Sequence, residues 1–130
     1  MTIETYLSDI GTYLQTAGIG TVNTDIHFHG LASNATNDIT LTPFPGFEYN
    51  KIVSGEVNPY SPNLSIIVRN TSSAAALSKA TAIYKLLRDV SNRTIGTTHF
   101  LMIQAQGSPG FVSKTQNYFI FSINFSLLIQ

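Results

Sequence analysis

Residues 118–129 read Tyr-Phe-Ile-Phe-Ser-Ile-Asn-Phe-Ser-Leu-Leu-Ile, and no other run limits the possible folds as strongly. Every odd position from Phe119 to Ile129 is large and apolar, whereas Ser122, Asn124 and Ser126 on the even positions are small and polar. Strand side chains alternate between two faces, so this run predicts a strand with one core face and one face of different character. At about 3.3 Å per residue it spans roughly 40 Å, against about five or six residues for an ordinary strand. Such length suggests a sheet that helps to build something larger than one chain. No Lys or Glu occurs between Asn117 and Gln130. Water-facing strands usually carry such charges, which also guard edges against unwanted pairing. The face of Ser122, Asn124 and Ser126 is therefore expected to meet another protein surface, where small polar groups avoid the desolvation cost of buried charges.

The remaining elements follow from periodicity. Ile3, Leu7, Ile10 and Leu14 lie on one stripe, predicting a helix over 2–16 with Thr2 as a candidate N-cap and Gly18 as its C′ stop. Strand alternation recurs near 22–29, around Ile26 and Phe28, and near 38–43, around Ile39 and Leu41, with a polar turn from Gly30 to Asn37. Residues 43–62 hold Pro43, Pro45, Gly46, Gly55, Pro59 and Pro62, which predicts a long irregular interaction loop with room for a short hairpin at Ile52, Val53 and Val57. Its apolar residues Phe44, Phe47, Ile52 and Val53 need a partner's cover to offset the entropy of ordering them. Leu64 to Val68 is nearly continuous apolar, as in a central strand covered on both faces. Ala76, Ala80, Ile83, Leu87 and Val90 place a second helix over 73–91, capped by Ser72 or Ser73. A buried strand is expected at 98–105, and Gly107, Pro109 and Gly110 connect it to the last strand. The order predicts one α+β domain over 1–130: a mostly antiparallel sheet of four to five strands packed with two helices.

Charge narrows the functional classes. Asp, Glu, Lys and Arg make up 11% of the chain, net charge is zero, and Ser, Thr and Asn number 38. About 25% charged is typical. No basic face for nucleic acid is indicated. Low charge fits a subunit that buries much of itself against neighbours, since Lys, Glu and Asp are depleted at interface cores; a host with a polar-uncharged bias would leave the same mark. There is no cysteine, which removes disulfides, thiolate metal sites and thiol nucleophiles. No segment approaches the roughly 20 apolar residues of a membrane helix, and residues 1–6 lack signal-peptide character. The expectation is a soluble chain made in a cytoplasm, with no membrane partner.

Chemistry is sparse. His27 and His29 fall on one face of a strand and would need His99 or Asp25 to complete a metal site, but neither spacing is diagnostic. The pattern favours the plainer reading, solvated histidines on a strand face. No G-x-S-x-G, phosphate loop or dinucleotide fingerprint occurs, and the seven carboxylates are scattered singly. The expectation is no enzyme, no cofactor and no metal. Arg69, closing the central strand, reads either as an intersubunit anchor or as a solvated strand-end cation.

Pro62-Asn63-Leu64-Ser65-Ile66-Ile67-Val68-Arg69-Asn70 followed by an Ala/Lys/Ile/Tyr/Leu helix, the Gln106-Gly107-Ser108-Pro109 turn and the Phe121-Ser122-Ile123-Asn124-Phe125 strand resemble one family. It is the tail terminator family of long-tailed bacteriophages, also called minor capsid or tail-completion proteins. Family members usually have an acidic or Gly-Arg turn where Lys114-Thr115-Gln116-Asn117 stands in this chain. The resemblance implies a homohexameric ring that caps the tail tube, ends its polymerisation and offers a joining surface to the head-completion connector. DNA would pass through the lumen without sequence recognition, and the protein would reside in the virion tail or neck after assembly in the bacterial cytoplasm. Another phage neck or tail-tube subunit of related fold, or a small-ligand-binding α+β protein, would carry a similar pattern. The residues expected at the interface are Phe44, Phe47, Ile52, Val53, Arg69, Ser122, Asn124 and Ser126.

Overall fold

The last strand is the spine of the sheet. A computed structural model describes residues 5–28, 37–48, 60–115 and 117–130, leaving aside the side chains of 44–48, 60 and 115. In chain order the elements are α1 (Thr5–Thr16), β1 (Ile26–Phe28), β2 (Asp38–Glu48), β3 (Tyr60–Asn70), α2 (Ser73–Arg88), β4 (Ser91–Ile95), β5 (Thr98–Ala105), β6 (Gly110–Thr115) and β7 (Tyr118–Ile129). Strand order is β1-β2-β3-β7-β5-β4, with β6 also on β7; only the β1–β2 pair is parallel.

The fold is α+β, with two helices and a sheet of seven strands, not four to five, among the described residues. β4 and β6 are the additions. Only Ile95 of β4 is buried, and Phe111 and Val112 of β6 are exposed. Backbone pairing, rather than an apolar face, therefore specifies these strands, and the sequence shows no alternation there. The same pairing accounts for the length of β7. One edge is covered by β3 from Asn70–Phe119 to Tyr60–Ile129. The other is shared by β6, from Thr115–Tyr118 to Gly110–Ser122, and β5, from Ala105–Phe125 to Phe100–Ile129. A long strand thus serves three partners of its own chain, and its length requires no second copy.

Part of the expected loop at 43–62 is paired strand. Pro43 faces Leu64 and Phe44 faces Asn63, and a bulge around Pro45 and Gly46 precedes the Phe47–Ser61 pair. β1 pairs only Ile39 to Leu41 of β2, so Pro43 and Pro45 stand where β2 has no outer partner among the described residues. A missing N–H is tolerated at such edges and bulges. Ile52, Val53 and Val57 lie outside the described residues, as does the expected cap Thr2.

Both helices pack on the apolar face of the sheet. The core joins Tyr6, Leu7, Ile10 and Leu14 of α1 and Ala76, Ala80, Ile83 and Leu87 of α2 to the odd residues of β7 and to Leu64, Ile66 and Val68 of β3. α1 ends as expected. Gly18 adopts φ +80° and donates to Gln15 O, and Ile19 N–H reaches Leu14 O, each at 3.0 Å. This is a Schellman closure that satisfies otherwise orphaned carbonyls. Ser72 caps α2 by accepting from Ala75 N–H at 3.2 Å. α2 stops at Arg88, three residues short of the expected end, because Val90 already bonds Ile103 across the ladder to β5. Asp9 of α1 fastens the β4–β5 hairpin: its Oδ2 accepts from Thr97 N–H (3.2 Å), Thr97 Oγ1 (3.3 Å) and Thr98 Oγ1 (2.6 Å). Gly96 occupies φ +62° in that turn, and a Cβ there would fall on the Asp9 carboxylate.

Candidate assembly surface

Residues paired directly across neighbouring strands share a face. The register therefore gathers one surface opposite the helices. β7 contributes Ile120, Ser122, Asn124, Ser126 and Leu128, and β3 sets Arg69, Ile67, Ser65 and Asn63 against the first four. β2 adds Asp38, Thr40 and Thr42, while β5 adds Gln104 and Met102. Ser122 and Ser126 are half-buried and Asn124 is exposed, whereas Phe121, Ile123, Phe125, Leu127 and Ile129 are buried. The division of β7 into core and outer faces is as its alternation predicts.

The middle of this surface is uncharged. Its centre is a hydrogen-bonded cluster in which Gln106 Nε2 donates to Asn63 Oδ1 at 3.1 Å and to Ser126 Oγ at 2.9 Å. Ser126 Oγ itself donates to Asn63 Oδ1 at 3.2 Å. Gln106 continues the β5–β7 ladder through its N–H to Asn124 O at 2.9 Å. Beside the cluster, Gln106, Gly107, Ser108, Gly110, Ser122 and Asn124 line a groove of about 220 Å³. Asn63, Gln106 and Ser126 bond one another within the chain, so a partner could approach the cluster without stranding those donors and acceptors.

Charge appears at one end of the face. Asp38 is buried and accepts from Thr40 Oγ1 at 2.8 Å. His27 Nε2 lies 3.2 Å from the other Asp38 oxygen and 3.0 Å from Thr24 O, its better-aligned hydrogen-bond partner. The Arg69 guanidinium sits 5.0 Å from the centre of the Tyr118 ring, on the half-buried margin of the sheet. Arg69 is therefore stacked at the rim of the same face as Ser122, Asn124 and Ser126, and is not a freely solvated strand-end cation.

His27 and His99 do not converge. His29 lies outside the described residues. His99 sits on β5, at the opposite margin of the sheet from β1, where Nδ1 meets Thr94 Oγ1 at 2.8 Å and Nε2 meets Asn92 Oδ1 at 2.9 Å. Among the described residues no group of three or more His, Asp or Glu side chains is placed to hold a metal ion. Phe44 and Phe47 belong to β2, with side chains outside the description, and Ile52 and Val53 lie outside the described residues. The sequence reading did not place Gln106 and Asn63 at the centre of the outer face; the parity of β7, extended across its two neighbours, was the signal that would have located them.

Comparisons with known proteins agree with this architecture. A family model described as "Bacteriophage tail terminator protein" matches residues 13–130. A solved chain from "Virion of native gene transfer agent (GTA) particle" superposes with a TM-score of 0.58 at 15% identity, covering 93% of this chain and 92% of that one. At that identity the likeness is one of fold. Comparison with curated proteins gives no match.

Proposed function

The chain belongs to the bacteriophage tail terminator family, a structural component of phage virions, and on that premise we propose that it closes into a ring capping the tail tube. In this reading the ring is a homohexamer at the neck, assembled in the host cytoplasm. It ends tube polymerisation, presents a joining surface to the head-completion connector and lets DNA pass through its lumen without reading sequence. It performs no catalysis and needs no cofactor.

The observation that carries the reading is the outer sheet face. Apart from Arg69 at its end, its central strands present Asn63, Ser65, Ile67, Ser122, Asn124, Ser126 and Gln104 with no charged side chain among them. A solvated sheet surface of this extent would ordinarily bear Lys or Glu. Small uncharged groups let a second protein surface approach closely at little desolvation cost. Ser122, Asn124 and Ser126 meet a neighbour in the assembled particle, with Arg69 at the rim and with Phe44 and Phe47 of β2 and Ile52 and Val53 of the segment after it completing the contact.

Asn124→Lys tests this. Asn124 is exposed, so the isolated subunit should keep its stability within about 1 kcal/mol, as ordinary surface changes do. Electron microscopy should then find no ring, and tails of uncontrolled length or tails unjoined to heads. A variant that assembles and terminates tails normally would put this face in solvent and overturn the assignment.

A further inference from the structure

Two surface patches at different points along β7, one beside its core-face residues Phe119 and Phe121 and one on its outer face at Leu128, expose apolar side chains and carry opposite charges. The first is the β6 edge. Phe111 and Val112 are the most exposed large apolar residues described, at 58% and 55%. Phe111 stands edge-on to Phe121 with ring centres 5.6 Å apart, which favours one orientation of the exposed ring. Exposed Lys114 lies beside them, its ammonium 5.2 Å from the centre of the Phe119 ring. Beyond its pairing with β7, β6 has no strand partner among the described residues.

The second patch lies at the other end. Met102, 43% exposed, pairs with half-buried Leu128 on the outer face. Ser91 is opposite Met102, and two residues before it stands Asp89, the C-cap of α2. Asp89 is an exposed carboxylate, its side chain 81% accessible. A carboxylate there opposes the helix macrodipole. Its neighbour Arg88 gives little relief, because that guanidinium lies 4.0 Å away and is engaged by Tyr84 through a 3.2 Å hydrogen bond and ring stacking. Lys85 and Arg88 both lie in the last turn, but the 4.0 Å contact to Arg88 is the ion pair Asp89 makes among the described residues.

From these two patches we infer that the Phe111/Val112/Lys114 edge of one copy docks on the Met102/Leu128/Asp89 end of the next, with Lys114 meeting Asp89. The inference rests on the ring reading and names its subunit contact. Phe111 pairs with Phe121 and Met102 with Leu128, so the patches lie about 23 Å apart along β7 at the usual strand rise. A patch that meets a different patch makes a head-to-tail contact, the kind that generates rings. The zero net charge of the chain places no repulsion against self-association. The occupant is a second copy because each patch supplies what the other lacks: an aromatic knob with a cation, and an aliphatic seat with an anion.

Charge reversal on the full chain tests the contact, read by native mass spectrometry and sedimentation velocity. Lys114→Asp and Asp89→Lys should each weaken ring assembly by about tenfold or more, the scale of a close interfacial charge pair. Combining them in one chain should restore assembly. Asp89→Lys also removes the unfavourable charge at the α2 terminus, so its melting temperature should not fall and loss of assembly cannot be put down to unfolding. A wild-type chain that forms no closed ring overturns the ring reading and this contact with it. A wild-type ring that both single reversals leave intact, or a double reversal no better than either single one, overturns this contact alone.

Discussion

Removal of the Asp9 carboxylate probes how α1 is joined to the β4–β5 hairpin. Asp9 Oδ2 accepts from three donors, but they differ in what their loss would cost. Thr97 N–H and Oγ1 are exposed, at 3.2 and 3.3 Å, and water can replace the carboxylate at both. Thr98 is fully buried and its hydroxyl donates at 2.6 Å. In Asp9→Ala that hydroxyl loses its acceptor, which costs about 1–3 kcal/mol for a buried donor left unmade. With a few tenths for the exposed bonds, the expected loss is about 2 kcal/mol. For a domain of this size that corresponds to roughly 6–10 °C in Tm. The discriminating measurement is a double-mutant cycle with Thr98→Val by urea denaturation. Each single change strands one partner, and the double change removes both, so Asp9→Ala should cost about 1 kcal/mol less in the Thr98→Val background. Losses that add to within about 0.3–0.5 kcal/mol would mean the two side chains act independently, and would refute the clamp.

Two further perturbations test the core and the α2 cap. Phe125, fully buried on β7 between its partners Leu64 and Ala105, should cost about 3–5 kcal/mol as Phe125→Ala, a large part of a typical domain's stability; a loss near 1 kcal/mol in denaturant titration would mean that the centre of the sheet is not the packing hub. Ser72→Ala should cost about 1 kcal/mol through loss of the bond to Ala75 N–H, whereas Ser73→Ala, in the first turn of α2, should change melting by much less; equal effects would shift the cap.

Local stability in this fold is uneven for an identifiable reason. β3 and β7 are paired on both edges and packed beneath α2, so their backbone bonds are shielded along both edges and on the helix-covered face. β4 carries four exposed residues out of five and is held to the rest by β5 and by the Asp9 fastening at its turn. Hydrogen exchange should therefore be slowest in β3 and β7 and faster in β4. That gradient leaves the proposed docking end at Met102 and Asp89 on the more adaptable side of the molecule.

Much of the molecule is legible in the order of residues. Wherever an element buries a stripe, the stripe is visible as a period: odd residues on β7, four-three spacing on α2, continuous apolar residues from Leu64 to Val68. Gly18 and Ser72 announce their helix ends because left-handed backbone and N-capping oxygens are needs of a single turn of chain. The uncharged outer face of β7 is equally local, since alternation alone separates Ser122, Asn124 and Ser126 from the core. Other features exist only through partners distant in sequence. β4 and β6 bury little and are strands because β5 and β7 offer them hydrogen bonds. Pro43 and Pro45 read as loop but lie in β2, tolerated at a bulge and an edge whose position depends on how far β1 extends. The cluster of Asn63, Gln106 and Ser126 joins three strands whose shared face is set by register, and register is a property of the assembled sheet. Asp9 and Thr98 stand 89 positions apart in the chain and touch only once α1 lies across the hairpin. Periodicity records what each segment buries; which segments pair, and therefore what surface they jointly present, is decided when the sheet closes around β7.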